Sequence, residues 1–325
     1  MVRNGGKRRR IRTLNMNKFP FRKALVTGGG GFIGSNICER LVNLGVEVVS
    51  LDNYSSGKEE NLYGIDCVKV NGDITDEALV SEMMDNTDVV FHNAASKKSV
   101  CLDDPKYDLD VNAKGTLILL IQALKNKVKK FVHASTGSVY GEPVYFPLDE
   151  NHSLNPTSYY GVSKLAGEKY VNMFNKMYGL NSTVLRYFHV YGPKQSYIDL
   201  VGGVVSIFIN RTLNDESVTI FGDGSQQRSF THVSDVVDAN IVAAINPISN
   251  GKVYNCASAL RITVYELYEK ISNLLCKSYP PIYGDWMLGE VKVFDVSNIK
   301  IQTELDLKFT CFEEGLRKTI EWFKK

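Results

Sequence analysis

The sequence predicts an α/β protein: a doubly wound parallel sheet with a smaller C-terminal lobe. Three observations predict it. Short apolar runs alternate with helical patterns from residue 24 to about 190, and repeated β-α units mean a parallel sheet covered on both faces. The first unit carries a glycine cluster, Gly28 to Gly31, with Gly34 just beyond, and its second strand ends on an acid, Asp52. The chain has 325 residues, enough for one large or two unequal domains.

The first unit sets the chemistry. Residues 24–26 read as a buried strand and 32–44 carry apolar residues at helical spacing (Phe32, Ile33, Ile37, Leu41, Leu44). Residues 46–51 read as the next strand. Strand, glycine turn, helix, strand and acid together make the setting of a dinucleotide site. A tight turn out of a strand needs a residue that tolerates positive φ, and a pyrophosphate must approach bare backbone. The helix N-terminus then offers N–H groups and partial positive charge to the phosphates. Gly34 lets helix and strand pack closely. The four consecutive glycines allow two registers, Gly29-Gly31-Gly34 or Gly28-Gly31-Gly34. Asp52 accepts from ribose hydroxyls and repels a 2′-phosphate, so the expected cofactor is NAD rather than NADP.

The later units follow in order. Residues 68–70, 88–92, 130–134 and 182–190 read as strands, and a long helical pattern covers 108–126. A further helix starts near Ser158, after Pro156. Ligands of such sheets lie beyond the carboxyl ends of the strands, so Asp73, Ala94, Thr136 and His189 should face one crevice. On the helix that begins near Ser158, Tyr160 and Lys164 are four residues apart and share a face. An ammonium near a phenol favours the phenolate and lowers a pKa that is ordinarily about 10. That yields a general base. Tyr159 competes for this role, but its partner four residues on is the uncharged Ser163.

Composition narrows the function. A net charge of +2 implies no polyanionic partner for the chain as a whole, and no nucleic acid is expected. No apolar run reaches the roughly 18 residues that span a bilayer. The 6 cysteines are scattered without a C-x-x-C pair and read as free thiols of a reducing compartment, not as a zinc site. Five histidines give no metal constellation, and His92 and His133 read as strand-end or core residues. Lys7 to Arg10 and Arg12 form a basic run in residues 1–18, expected to be a disordered extension.

At this point the chain resembles an extended short-chain dehydrogenase/reductase of the nucleotide-sugar epimerase/dehydratase family. The likeness rests on TGGGGFIG (27–34), LDN (51–53), GDI (72–74), HNAA (92–95), ASTGSVYG (134–141), YYGVSK (159–164), RYFHVYGP (186–193) and FGDGSQQRSF (221–230). It implies a Rossmann-type NAD domain over 19–185 with a return segment near 230–257. A substrate lobe is implied over 186–229 and 258–325.

The resemblance also implies roles. Tyr160 is the base, Lys164 orders the nicotinamide ribose, and Thr136 bonds the reacting sugar hydroxyl. Gly28, Gly31, Phe32, Ile33 and Gly34 cradle the pyrophosphate. Asp52 and Asn53 hold the adenosine ribose, Asp73 and Ile74 flank adenine, and Ala94, Ala95 and Tyr187 border the cofactor. Ser135, Ser138, His189, Arg228 and Glu290 belong to the substrate side, with Arg228 on the sugar nucleotide's diphosphate.

Two departures stand out. His189 occupies a usual asparagine position, and Met287 a usual arginine position. The implied activity is a 4-epimerase working on a nucleotide sugar, a UDP-sugar foremost, through a 4-keto sugar. The alternative is a 4,6-dehydratase or another keto-sugar-forming relative. A cytoplasmic homodimer through helices 108–126 and 158–177 is a family-level expectation.

Overall fold

The structure is a computed structural model that describes residues 19–96, 100–198, 202–286 and 292–325. The basic run at 1–18, Met287 and Glu290 lie outside the described residues.

Seven strands build one sheet, and every pair in it is parallel. They are β1 (Lys23–Thr27), β2 (Glu47–Asp52), β3 (Val68–Asn71), β4 (Val89–His92), β5 (Lys130–Thr136), β6 (Ser182–Tyr187) and β7 (Lys252–Cys256). The spatial order is β7-β6-β5-β4-β1-β2-β3. β1 sits at the reversal of strand order, with Val26 beside Ser50 of β2 and Phe91 of β4. Parallel strands covered on both faces must be apolar throughout, and β1, β4 and β5 are buried along nearly their whole length.

Four helices matter for the site. They are α1 (Phe32–Asn43), α2 (Thr116–Lys125), α3 (Tyr159–Tyr178) and α4 (Val233–Ile245). α1 and α4 close one face of the sheet over Ile37, Leu41, Val236 and Ile241. α2 and α3 close the other over Ile118, Leu119 and Val171. α3 starts where expected: Ser158 caps it, its Oγ accepting from the Gly161 N–H at 3.1 Å. It stops at Gly179, whose φ of 69° suits a residue without Cβ.

Two expected elements are divided. The pattern at 108–126 is not one regular helix. Pro105–Leu109 is followed by a π turn, Asp110–Gly115, before α2 begins. The Asn112 side chain binds across this turn, donating to Asp108 at 2.9 Å and to Ser163 at 3.0 Å while accepting from the Ser96 N–H at 3.0 Å. The expected strand 182–190 ends at Tyr187, where its edge partner ends at Cys256. His189 then takes a left-handed φ of 37°, and Val190–Tyr191 pairs instead with Thr231–His232.

Beyond β6 the chain builds a second core from Phe208, Ile220, Phe230, Leu267, Phe312 and Leu316. Short ladders frame it, Thr219–Phe221 with Ile282–Gly284 and Gln227–Arg228 with Ile262–Thr263. Between its segments, α4 and β7 return to the main sheet.

Candidate active site

The strand-to-helix turn separates its glycines by what surrounds them. Gly28 has a φ of 69°, and a Cβ there would lie 2.7 Å from the Ala94 nitrogen. Gly34 presses on the same turn; its Cβ would lie 2.1 Å from the Gly28 carbonyl oxygen. Gly31 caps α1 with extended backbone, and a Cβ on it would lie 3.1 Å from the Gly28 carbonyl oxygen. Gly28, Gly31 and Gly34 line the cleft, whereas Gly29 packs on Ser50, where a Cβ would lie 2.1 Å from the hydroxyl oxygen. Gly28, Gly31, Leu51, Asp52, Asn53, Gly72, Asp73, Ile74, Asn93, Ala94 and Ala95 line its deeper half.

Asp52 closes this half. The Gly30 N–H donates to its Oδ2 at 2.9 Å and the Tyr54 N–H to its Oδ1 at 2.8 Å. Burial raises its pKa and those backbone donors oppose the rise. Asn53 donates to Asp73 at 2.7 Å, and Thr75 donates to the other oxygen of Asp73 from its N–H at 2.9 Å and its hydroxyl at 2.7 Å. Against the cost of burial, these donors hold Asp73 below the usual carboxylate range.

The cleft continues past Phe32, Ile33, Ser96, Ser135, Tyr160, Lys164 and Tyr187. Gly161 lets α3 approach here: a Cβ on it would lie 2.7 Å from the Ser138 carbonyl oxygen. Tyr160 is thereby set against the end of β5, hydrogen-bonded to Thr136. The Ser138 N–H donates to Thr136 Oγ1 at 3.1 Å. The Tyr187 hydroxyl accepts from Asn240 at 2.8 Å. Lys164 is buried, and its Nζ has no hydrogen-bond partner among the described residues. A buried ammonium at a cleft wall, left to be satisfied from the cleft, fits a ribose hydroxyl.

The phenol departs from expectation. An ammonium nearby favours the phenolate, but desolvation of the hydroxyl opposes it. In the structure burial pushes Tyr160 up to about 12, with the Thr136 hydrogen bond working the other way. Burial likewise takes Lys164 down to about 8, opposed by Glu168 and then Asp108.

The strand-end residues do not all meet. Asp73 and Ala94 line the cleft, and Thr136 meets Tyr160. His189 lies toward the second core, its ring 5.0 Å from that of Phe294 and 6.1 Å from that of Phe230. Arg228 reaches the same Phe294 ring at 5.7 Å, donating on the way to the carbonyls of Gln227 at 2.8 Å and Lys292 at 3.3 Å. The Ser135 hydroxyl donates to Glu168 at 2.5 Å rather than standing free. Sequence reasoning missed Asn93, Asn240, Asp108, Asn112 and Glu168. Only Glu168 had a local signal, its place four residues after Lys164.

A parallel sheet with a glycine turn at the strand reversal, and with a tyrosine, a lysine and a threonine beyond it, defines an NAD-dependent enzyme of the extended short-chain dehydrogenase type. The chain belongs to the NAD dependent epimerase/dehydratase family, whose model matches residues 24–257. It is 37% identical to the UDP-glucose 4-epimerase of Mycolicibacterium smegmatis over 314 residues, 93% of this chain and 98% of that one. Among solved structures, the Thermotoga maritima UDP-glucose 4-epimerase with UDP-glucose matches with a TM-score of 0.89 at 37% identity, covering 93% of this chain and 98% of that one. The Thermus thermophilus UDP-glucose 4-epimerase in complex with NAD matches with a TM-score of 0.85 at 33% identity, covering 93% and 99%. Relatives at 29–32% identity include a Bacillus cytotoxicus decarboxylase of a UDP-sugar acid and a Streptomyces niveus dTDP-glucose 4,6-dehydratase. The cofactor is NAD, and the bare glycine turn, Asp52 and the unpartnered Lys164 ammonium fit it.

Proposed function

We propose that the chain is a nucleotide-sugar 4-epimerase. In this reading Gly28, Gly31 and the start of α1 hold the pyrophosphate of NAD, Asp52 and Asn53 its adenosine ribose, and Lys164 its nicotinamide ribose. NAD supplies the acceptor and donor of the hydride and, when oxidised, a positive ring beside the phenol. Tyr160, as phenolate, takes the proton from the sugar's 4-hydroxyl, and Thr136 aligns that hydroxyl. The resulting 4-keto sugar turns over, so that hydride returns to the other face of carbon 4 while Tyr160 gives the proton back to the 4-oxygen. Arg228 and His189 hold the remote diphosphate, which keeps the sugar bound while it turns.

One observation carries the choice of epimerase over dehydratase. Expelling water from carbons 5 and 6 needs an acid and a base next to the threonine. Here Gly137 and Ser138 fill those places, and Gly137 cannot be an acid: a Cβ there would lie 2.4 Å from the Phe188 ring. His189, the candidate replacement from another loop, is turned toward Phe294.

The test is product NMR after incubation with UDP-glucose and with UDP-N-acetylglucosamine. Inversion at carbon 4 with the 6-hydroxyl retained is expected. A 6-methyl doublet with a 4-keto carbon would defeat the reading in favour of a 4,6-dehydratase.

A homodimer through α2 and α3 belongs to the same proposal. It is supported by a row of exposed apolar side chains on α3: Val162, Tyr170, Met173 and Met177. Sedimentation of a Met173→Lys variant as a monomer, against a dimeric wild type, is the expected result. A monomeric wild type would remove this part of the proposal.

A further inference from the structure

The face of α3 that presents Tyr160 and Lys164 continues one turn further, to Glu168. The reaction proposed above does not use this carboxylate, yet it is 1% exposed and takes three hydrogen bonds. Arg186 of β6 grips it with two, Nε to Oε1 at 2.9 Å and Nη2 to Oε2 at 2.7 Å. Ser135 of β5 donates the third, to Oε1, at 2.5 Å. Arg186 also donates from Nη1 to the Tyr140 hydroxyl at 2.7 Å, and that hydroxyl donates to Asn255 of β7 at 2.7 Å. One carboxylate thus joins the helix of the base to three neighbouring strands. Ser135 immediately precedes Thr136, and Thr136 is bonded to Tyr160. A ring of contacts closes from Tyr160 through Thr136, Ser135 and Glu168 back along a single face of α3.

We propose that Glu168 is a positioning residue: through Ser135 and Arg186 it fixes the distance between Tyr160 on the helix and Thr136 on the strand. The inference rests on Tyr160 being the base. Stability alone is a weak reason for such a group, because a buried ion pair costs desolvation that apolar residues of the same volume avoid. Its geometry is better explained by what it pins, since a displacement of about 1 Å at a reacting centre costs up to about a hundredfold in rate.

The charge has a second effect. Burial lowers Lys164, and Glu168 is the first of the two carboxylates that hold it up; Asp108, which accepts from Ser163 at 2.6 Å, is the other. Among the described residues, Arg186, Tyr140 and Glu150 are the ionisable groups joined to the pair, and the buried His133 and His92, whose pKa burial lowers well below the usual range, face Lys164.

Two variants test the inference. Ser135→Ala leaves the Glu168–Arg186 pair whole and cuts its tie to the catalytic strand. Glu168→Gln keeps the shape and removes the charge. Each is purified with its NAD and assayed beside wild type on UDP-glucose and UDP-N-acetylglucosamine. Expected are falls in kcat of about tenfold for Ser135→Ala and about a hundredfold for Glu168→Gln, with KM and NAD content unchanged. The alkaline limb of kcat should move down by about one pH unit in Glu168→Gln alone, as Lys164 loses an anion.

Ser135→Ala with wild-type kcat overturns the proposal, and it decides alone if Glu168→Gln does not fold. A Glu168→Gln enzyme that loses only Tm, with wild-type kcat per bound NAD and an unmoved pH profile, also overturns it. If wild type instead releases a 6-deoxy-4-keto product, the epimerase reading fails. The variant-to-wild-type ratios still judge Glu168, because proton removal by Tyr160 comes first in both reactions.

Discussion

In the proposed reading the glycine turn and the surroundings of Arg228 meet the same need, holding a diphosphate, by different means. At the turn the contacts come from backbone that is close only because Gly28 and Gly34 carry no Cβ. Around Arg228 the parts are side chains brought from separate segments: Arg228 from one short ladder, His189 from the left-handed bend after β6, Phe294 from near the C-terminus. Backbone sites demand particular residues at fixed spacing. Side-chain sites tolerate replacement, and here one of the positions, His189, already departs from the family pattern. On that reading the cofactor end is the one less open to replacement, and substrate choice would belong to the other.

Four measurements would break or sharpen that contrast. The largest effect is expected where the two ends meet. Tyr160→Phe should keep its fold and its NAD and lose roughly 10²–10⁴ in turnover, the usual size of a lost general base. Near-normal turnover would place the base elsewhere. Next comes Gly28→Ala. Its Cβ would meet Ala94 in a left-handed conformation, so NAD content after purification, read by mass spectrometry, should collapse, with a stability cost of about 1–3 kcal/mol. An alanine variant that retained NAD would show that the turn has more slack than its geometry allows.

At the other end Arg228→Ala should leave NAD content intact and raise KM for the nucleotide sugar about tenfold or more, the loss of a charge-assisted hydrogen bond of roughly 1.5–3 kcal/mol. A flat KM would move the diphosphate to other donors.

The smallest effect concerns acid sensitivity at the second core. Burial brings His232 down to about 4 in the fold. Its folded pKa is depressed, so the unfolded chain takes up the proton first as pH falls below about 6.5. Stability is then lost progressively down to about pH 4, by about 2.5 kcal/mol at pH 4.5. Thermal melts at pH 7 and pH 4.5 should differ, and His232→Gln should narrow the difference. An unchanged difference would assign it to other groups, of which His92 and His133 in the main sheet are the first to try.

The same contrast explains what could be read from the chain. The sheet, the glycine register's last member, Asp52 and the Tyr160–Lys164 pair were legible because strand and helix periods and fixed spacing encode them locally. The division of the 182–190 strand was not, since the apolar pattern runs on through Phe188 while the backbone leaves the sheet at His189. The π turn was hidden for a similar reason: a wider turn keeps a nearly helical pattern of apolar residues. Nor did spacing reveal that Tyr160 stands high rather than low, because desolvation depends on what covers the hydroxyl. Partners such as Asn240 on Tyr187, or Arg186 on Glu168, are set by topology alone.

The return of β7 to the sheet has a consequence for how the chain is made. β6 is covered on its outer edge only when residues 252–256 pair with it. A chain leaving the ribosome therefore carries a six-stranded sheet with an open edge while the next sixty or so residues are synthesised, about three to twelve seconds at ordinary rates. Open edges recruit other chains. Aggregation during synthesis, and dependence on chaperones, should thus peak for nascent lengths between the end of β6 and the end of β7, and ribosome-stalled chains in that window would measure it.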